Sequence, residues 1–380
     1  MDLDFSSEQE MLRDSALKFL VNECPYSKVK EIEDSEPGYS PELWAKIAEL
    51  GWLGLLFPER YGGYGGQFMD LIIIQEAMGR FVHPSPFFST VIQCGLIILE
   101  GGREDQKMAL LPRIAEGGLI MSLAQYEEDG SFRLGDINLK AGIKGNQYVL
   151  NGTKLFVMNA NVANQLIVVV RTGGSDLSLL LVDTDTPGLT ITKIPTIGKD
   201  NCCEVVFKDV LVAKENIIGA SGEGERILER MNLKAAVTKA AEMVGGCKAC
   251  IDITADYARQ REQYGRPIGG FQAIQHYMAN MMLEYDTCRN YLYQVAWLVD
   301  EGEDYIAQAS GLKACVNQAY NFISERAIQI HGGIGTTREG DIGLFYRKAK
   351  AGETICGDSE FLFEKVVEKL LETEARLPML

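Results

Sequence analysis

Histidine is scarce in this chain: 380 residues hold three, His83, His276 and His331. That excludes a His-rich metal centre, and no metal is expected. No apolar run reaches the roughly 18 residues of a membrane-spanning helix. Cations are outnumbered, 37 Lys and Arg against 53 Asp and Glu, for a formal net charge of −16. Phosphate backbones are held by clustered Lys and Arg, so nucleic acid is not an expected partner. An anionic membrane surface is disfavoured for the same reason. A small phosphate-bearing ligand stays open, because a few local cations or backbone N–H groups suffice. The N-terminal MDLDFSSEQEML is acidic and has no apolar signal region, which argues against secretion.

A disulfide framework is also missing. The nine cysteines are odd in number and scattered. They suit free thiols in a reducing compartment, and the expected location is the cytoplasm. CKAC, Cys247 to Cys250, has C-x-x-C spacing. It lies in a helical pattern without a second pair, and reads as structural.

What is present is a large globular chain. Hydrophobic residues make up 46% and charged residues 24%, values of a soluble protein. The length predicts two or three packed units. Residues 1–118 read as helical. SSEQEMLRDSALKFL carries a capping box from Ser7 to Glu10, then an apolar face at Leu12, Ala16, Phe19 and Leu20. SPELWAKIAELGWLGL starts with Ser40 as N-cap and Pro41 first in the helix, and Gly51 is the expected stop. FPERYGGYGG (57–66) is a loop, since four glycines do not hold a helix.

Residues 119–222 change to strands. QYVLNGTKLFVM reads as a hairpin turning at Asn151-Gly152. LIVVVRT, LSLLLVDT, GLTITKI and CEVVFKDVLV follow at short intervals, as in a small antiparallel barrel or sandwich. Residues 223–380 return to helix, with the first long pattern ended by Gly265 and Pro267. The expected fold class is mainly α with a central β domain.

Four strings stand in order along these regions: FPERYGGYGG, VLNGTKLFVMN, RQREQYGRPIGGFQAIQ and IQIHGGIG. The first resembles the Pro-Glu-x-x-Gly-Gly loop of the acyl-CoA dehydrogenase family of flavoenzymes. The second resembles its strand pair passing the flavin ring. The third is similar to its Arg-x-x-Phe-Gly segment with the Gln that follows, and the fourth to its Gln-x-x-Gly-Gly-x-Gly segment. Each string alone is weak, but the four in order cover nearly the whole chain.

The resemblance implies an N-terminal helical domain, a small β-barrel or sandwich and a C-terminal four-helix bundle. It implies a homotetramer or related assembly, FAD bound between subunits, and an acyl-CoA substrate. The implied electron acceptor is electron-transfer flavoprotein or similar. The implied reaction removes a proton from the carbon α to the thioester and a hydride from the β carbon, which goes to flavin N5. The thioester makes the α proton acidic, and hydrogen bonds to its carbonyl stabilise the developing enolate. Implied cofactor contacts are Gln125, Ser131, Phe156, Met158, Arg261, Gln263, Tyr264, Gln272, Gln329, Gly332 and Gly333. Arg261 suits a pyrophosphate through its planar fork. Gly332 and Gly333 let backbone N–H groups approach the cofactor, and Gln329 would reach it from a neighbouring subunit.

The chain also departs from the family pattern. The string beside the flavin is usually Thr-Glu-Pro-x-x-Gly-Ser-Asp. Here QYEEDGSF (125–132) keeps only Gly130 and Ser131. The family's Trp-x-Thr pair is Phe156 and Met158. Phe156 still covers a ring, but Met158 has no hydroxyl to donate. In TICGDSEF (354–361) the family's catalytic Glu falls on Cys356, Gly357 is kept, and Asp358 replaces the Thr. The base position of some relatives falls near Ala235, and Ala236 stands where many members carry Arg. Neither usual base is present.

Asp358 and Cys356 are therefore the candidate catalytic residues, with Glu360 close by. A thiol near its ordinary pKa of ~8.5 is a poor base. Asp358 is equally suited to cap the helix SEFLFEKVVEKLL. FFSTVIQC, matching the helix that lines the family's acyl pocket, offers Ser89, Thr90, Gln93 and Cys94. One reading is a dehydrogenase for an acyl-CoA of uncommon shape: alicyclic, aromatic-derived or dicarboxylic. A rival is a catalytically silent subunit completing the FAD site of a Glu-bearing partner, since Gly-Asp after the lost Glu resembles what such small subunits carry. A third is a CoA-thioester binding protein or reductase.

Overall fold

The computed structural model describes residues 4–173 and 176–374. Six helices come first: α1 (Ser7–Glu23), α2 (Tyr26–Asp34), α3 (Pro41–Glu49), α4 (Phe68–Arg80), α5 (Leu96–Gly101) and α6 (Glu104–Ala115). Strands follow as β1 (Met121–Ala124), β2 (Ala141–Lys144), β3 (Gln147–Met158), β4 (Gln165–Gly173), β5 (Asp176–Asp183), β6 (Leu189–Lys193), β7 (Cys202–Ala213) and β8 (Ile217–Ile218). The long helix α7 (Gly224–Gln260) leads to a short hairpin, β9 (Glu262–Gln263) and β10 (Arg266–Pro267). Helices α8 (Gln272–Glu301), α9 (Ile306–His331), α10 (Ile342–Thr354) and α11 (Ser359–Glu374) complete the chain. The expected class, mainly α with a central β domain and a C-terminal helical bundle, is the class observed. The residues gather into two compact units. One holds the segments up to Val29, Gln67–His83 and from Ala236 onward; the other holds Lys30–Gly66 and Pro84–Ala235.

In the first unit, helix ends are fixed by side chains near and far. Ser6 Oγ accepts from the Gln9 N–H at 3.2 Å, and Gln9 Oε1 accepts from the Ser6 N–H at 3.1 Å. The capping box thus starts one residue before the expected Ser7. Gln serves at the third helical position as Glu does, so the Ser6-Ser7 pair left the register open. The start of α4 is capped by Asp300 in the last turn of α8, which accepts from the Phe68 and Met69 N–H groups at 2.6 and 2.9 Å. At Gly245 of α7 an added Cβ would lie 1.9 Å from the Glu76 carbonyl oxygen of α4. Glycine is required there because the two helix backbones touch.

In the second unit, α3 opens as expected, with Ser40 Oγ accepting from the Leu43 N–H at 3.3 Å. Gly51 then takes a left-handed conformation after it. Two four-stranded sheets form, ordered β1-β4-β5-β8 and β2-β3-β7-β6. β1 and β4 are parallel, and their neighbours pair antiparallel. Leu166 to Val170 of β4 are fully buried, which accounts for an unbroken apolar run in a strand covered on both faces.

The expected turn at Asn151-Gly152 is corrected: β3 runs straight through it. The β2–β3 turn lies instead between paired Lys144 and Gln147. Asn151 is engaged across the sheet, donating to Asp209 Oδ1 at 3.0 Å and accepting from the Asp209 N–H at 2.8 Å. A register shift against β7 falls between Leu150 and Gly152, a bulge that a glycine accommodates.

All nine cysteines are free, and Cys247 and Cys250 are buried in α7. Among the described residues no group of His, Cys, Asp and Glu is arranged to hold a metal. Among the described residues no helix is long and apolar enough to cross a membrane.

Candidate active site

The helical unit places the implied cofactor residues at one end. After α7 the chain reverses at Tyr264-Gly265, both left-handed, with φ of 53° and 78°. Arg261 and Gln263 are exposed and Tyr264 is 94% exposed. Arg261 forms no ion pair among the described residues. One turn earlier, Tyr257 stacks on His331 with ring centroids 4.3 Å apart and donates its hydroxyl to the His331 carbonyl at 3.4 Å. Gly332 and Gly333 follow His331, exposed, with open space where a Cβ would stand. The Arg261 hairpin and the segment from Gln329 to Gly333 therefore share one end of this unit. Gln272, the first residue of α8, and Gln329, near the end of α9, are exposed. A guanidinium, exposed amides and unobstructed glycine backbone form a donor set suited to a dinucleotide diphosphate. The implied FAD fits these residues.

The turn between α10 and α11 holds the candidate proton acceptors. Cys356 and Gly357 both take positive φ, 62° and 107°. A Cβ at Gly357 would lie 2.9 Å from the Phe361 ring. Asp358 caps α11: its Oδ1 accepts from the Phe361 N–H at 2.9 Å and its carbonyl from the Leu362 N–H at 3.1 Å. Cys356 is partly buried. Burial pushes its thiol up to about 11, against the pull of the Lys313 and Lys239 charges. Ala235 and Ala236 are buried and apolar.

Sequence reasoning missed the side chains beneath this turn. Lys313, Asn317 and Asn321 lie at i, i+4 and i+8 on α9. Lys313 Nζ donates to the Gly352 carbonyl at 3.0 Å and to Asn317 Oδ1. Asn317 Nδ2 donates to the carbonyls of Glu353 at 3.3 Å and Gly357 at 3.5 Å. Asn321 Nδ2 donates to Glu353 Oε2 at 2.8 Å. Lys313 and Asn317 are fully buried. Burial pushes the Lys313 ammonium down to about 7; Lys239 adds to this, while Cys356, Glu353 and Glu242 oppose it. The available signal was polar residues at helical spacing within an otherwise apolar face of KACVNQAYN.

The other unit carries the remaining implied contacts. Gln125 is buried just after β1. Its carbonyl accepts from Lys154 Nζ at 2.9 Å, and the same amine pairs with Glu127 Oε1 at 2.7 Å. Glu127 also accepts from the Asn138 and Leu139 N–H groups at 2.8 and 2.9 Å. Burial pushes the fully buried Lys154 down to about 8, with Glu127 opposing. Neither role was read from the sequence. Phe156 follows two residues later, at φ 53° and 49% exposed, in a register shift between Lys154 and Val157. A bulge of this kind re-aims a side chain out of the sheet. The Met158 carbonyl accepts from Ser122 Oγ. Ser131 Oγ donates to Asp136 Oδ2 at 2.6 Å.

Residues Phe88–Gly95 form a buried π-helical segment, a form found frequently at functional sites. Thr90 Oγ1 donates to the Met121 carbonyl and accepts from the Met121 N–H, both at 3.0 Å. Ser89 Oγ accepts from Asn159 Nδ2 at 3.2 Å. Gln93 and Cys94 complete the polar and thiol groups of this segment, both buried.

Comparison with known proteins covers nearly the whole chain. "Acyl-CoA dehydrogenase, N-terminal domain" matches residues 6–118, "middle domain" 122–210 and "C-terminal domain" 222–371. The sequence is 32% identical to the probable acyl-CoA dehydrogenase YngJ of Bacillus subtilis (strain 168), over 98% of this chain and 100% of that protein. It is 30% identical to the acryloyl-CoA reductase (NADH) of Anaerotignum propionicum, over 95% and 93%. Among solved structures, butyryl-CoA dehydrogenase from Megasphaera elsdenii superimposes with a TM-score of 0.90 at 26% identity, covering 98% of this chain and 100% of that one.

Proposed function

Because this chain belongs to the acyl-CoA dehydrogenase family, flavoenzymes that use FAD to oxidise acyl-CoA thioesters, we propose an acyl-CoA substrate of uncommon shape and Asp358 as the acceptor of its α proton. The acyl group is alicyclic, aromatic-derived or dicarboxylic. The turn between α10 and α11 carries this reading. A thiol stands where the family's Glu would stand, burial keeps it protonated at neutral pH, and Asp358 supplies a carboxylate two residues later.

FAD, when bound, accepts the hydride from the β carbon. Arg261 holds its pyrophosphate, with Gln263, Gln329 and the Gly332 and Gly333 N–H groups as further donors; Tyr264 and Gln272 flank them. Phe156 covers the ring, beside Gln125, Ser131 and Met158, and Met158 leaves the ring without a hydroxyl partner. On the Phe88–Gly95 segment the Ser89 and Thr90 hydroxyls are engaged internally. Gln93 is then the side chain left to meet the acyl end, which favours a polar or dicarboxylic group. The assembly is a homotetramer or a heteromer, located in the cytoplasm, passing electrons to electron-transfer flavoprotein or a similar acceptor.

A second reading is favoured by one observation: Asp358 Oδ1 is already engaged by the Phe361 N–H. On that reading the chain is a silent subunit sharing FAD with a Glu-bearing homologue. The test is loss of flavin absorbance when the purified, FAD-saturated chain meets a panel of acyl-CoA thioesters. Bleaching by the chain alone is expected. Bleaching only after a Glu-bearing homologue is added would replace this proposal with the silent-subunit reading.

A further inference from the structure

The turn that carries Cys356 and Asp358 is held from below by side chains of α9, of which Lys313 and Asn317 are fully buried. A helix C-terminus leaves its last carbonyls without intrahelical partners. At the end of α10 those carbonyls are met by α9. Lys313 takes Gly352, and Asn317 takes Glu353 and Gly357. Asn321 takes the Glu353 side chain. The anchored residues stand on both sides of Cys356, whose left-handed backbone is unfavourable for a residue other than glycine. Such a conformation persists only where its surroundings over-determine it. Spacing of four residues puts all three side chains on one face of α9, and polar groups in an apolar interior are costly unless paired. Their pairing is directed at this one turn.

We propose that Lys313, Asn317 and Asn321 are positioning residues that fix the Cys356–Asp358 turn and, through it, the proton acceptor. The catalytic half of this inference rests on the reading of Asp358 above; the structural half does not. Lys313 is fully buried, so it acts through the turn and not on the substrate.

The test uses the full FAD-loaded chain with Cys315→Ser, since Cys315 is the exposed thiol. Asn317→Ala and Lys313→Met are introduced separately. Alkylation of each cysteine by iodoacetamide is followed by mass spectrometry, beside FAD content and the KM and kcat of flavin bleaching. Local opening of the turn should speed Cys356 alkylation by about tenfold or more, with buried Cys247 and Cys250 unchanged. The expected kinetic signature is a lower kcat at unaltered KM and FAD content. An unchanged Cys356 rate in both variants overturns the proposal. A parallel rise at Cys247 and Cys250 also overturns it, because general loosening does not select one turn. A selective rise with unchanged kcat, in an enzyme that Asp358→Asn slows, overturns the link to the proton acceptor. If Asp358→Asn bleaches at the wild-type rate while Cys356 is selectively exposed, the ladder stands and the Asp358 reading falls. Should Lys313→Met not fold, Asn317→Ser and Asn321→Ala decide by the same criteria.

Discussion

Asp358 Oδ1 accepts a hydrogen bond from the Phe361 N–H at 2.9 Å, so the carboxylate proposed as the proton acceptor is also the N-cap of α11. The two roles separate chemically. Asn caps a helix about as well as Asp, but it carries no charge with which to take a proton. Asp358→Asn should therefore keep the melting temperature and lower the rate of substrate-driven flavin bleaching by ~10²–10⁴-fold. Asp358→Ala should lose both the cap, about 1 kcal/mol, and the rate. Cys356→Ala should bleach near the wild-type rate, since its thiol stays protonated at neutral pH. Wild-type bleaching in Asp358→Asn would place the proton acceptor elsewhere.

Arg261 is exposed on the β9–β10 hairpin, where a charge-assisted contact to phosphate is worth roughly 1.5–3 kcal/mol. Arg261→Ala should weaken FAD binding by about 10- to 150-fold, read by flavin fluorescence during titration. Melting of the flavin-free chain should not change. Retention of FAD at wild-type strength would remove Arg261 from the cofactor contacts.

Lys154 is fully buried in β3, paired with Glu127 at 2.7 Å. Removing one partner of a buried pair leaves the other charge uncompensated, at a cost of about 3–5 kcal/mol. Glu127→Ala should destabilise the chain by that order in urea denaturation. The double variant Lys154→Met, Glu127→Gln should recover much of the loss, because it buries no charge. Equal loss in the single and double variants would show that the pair's charges are not what the site depends on.

Local signals were legible where the structure is local. Ser40 and Gly51 bound α3 as their chemistry requires, and the apolar run Leu166–Val170 is the strand that its sequence suggested. Asn151-Gly152 misled because the same pair fits a tight turn and a bulge. The deciding partner, Asp209, is 58 residues away. Asp300 caps α4 from 232 residues away, a distance that no spacing rule reaches. The Cys356 turn was located only through resemblance. The Lys313 ladder beneath it was not located at all, since a buried polar stripe has meaning only once the carbonyls it meets are known.

Gln93 is the side chain proposed to meet the acyl end. Gln93→Leu should therefore shift preference toward unsubstituted acyl-CoA thioesters. A buried polar contact of ordinary strength, about 1–3 kcal/mol, corresponds to a roughly 5- to 150-fold change in relative kcat/KM. Competition between a dicarboxylic and an unsubstituted thioester of equal length measures it directly. An unchanged ratio would exclude Gln93 from substrate recognition.

Lys313 gives the chain a stability that depends on pH in a definite direction. Its amine serves two acceptors, the Gly352 carbonyl and Asn317 Oδ1. A neutral lysine amine has two N–H groups, so it satisfies both. The ammonium carries a third, and burial pushes the group down to about 7, from an ordinary value of ~10.4. Below about pH 7 the folded and unfolded chains are both protonated at this site, and the burial penalty is fully in force. Above it, and up to ~10.4, the unfolded chain binds a proton that the folded chain does not, so stability rises with pH across this window. Lys313→Met has no such dependence. The stability of the wild type relative to Lys313→Met should therefore increase from pH 7 to 9, by at most ~1.4 kcal/mol per pH unit. Urea denaturation of both proteins at pH 6, 7, 8 and 9 reads this difference, on the chain with FAD removed so that cofactor binding does not contribute. Cys356, Glu353, Lys239 and Glu242 act electrostatically on the same amine, and all are shared by the two proteins. A flat difference across pH 7 to 9 would mean that Lys313 stays charged inside the fold. Glu353 and Glu242 would then hold its proton more strongly than burial expels it.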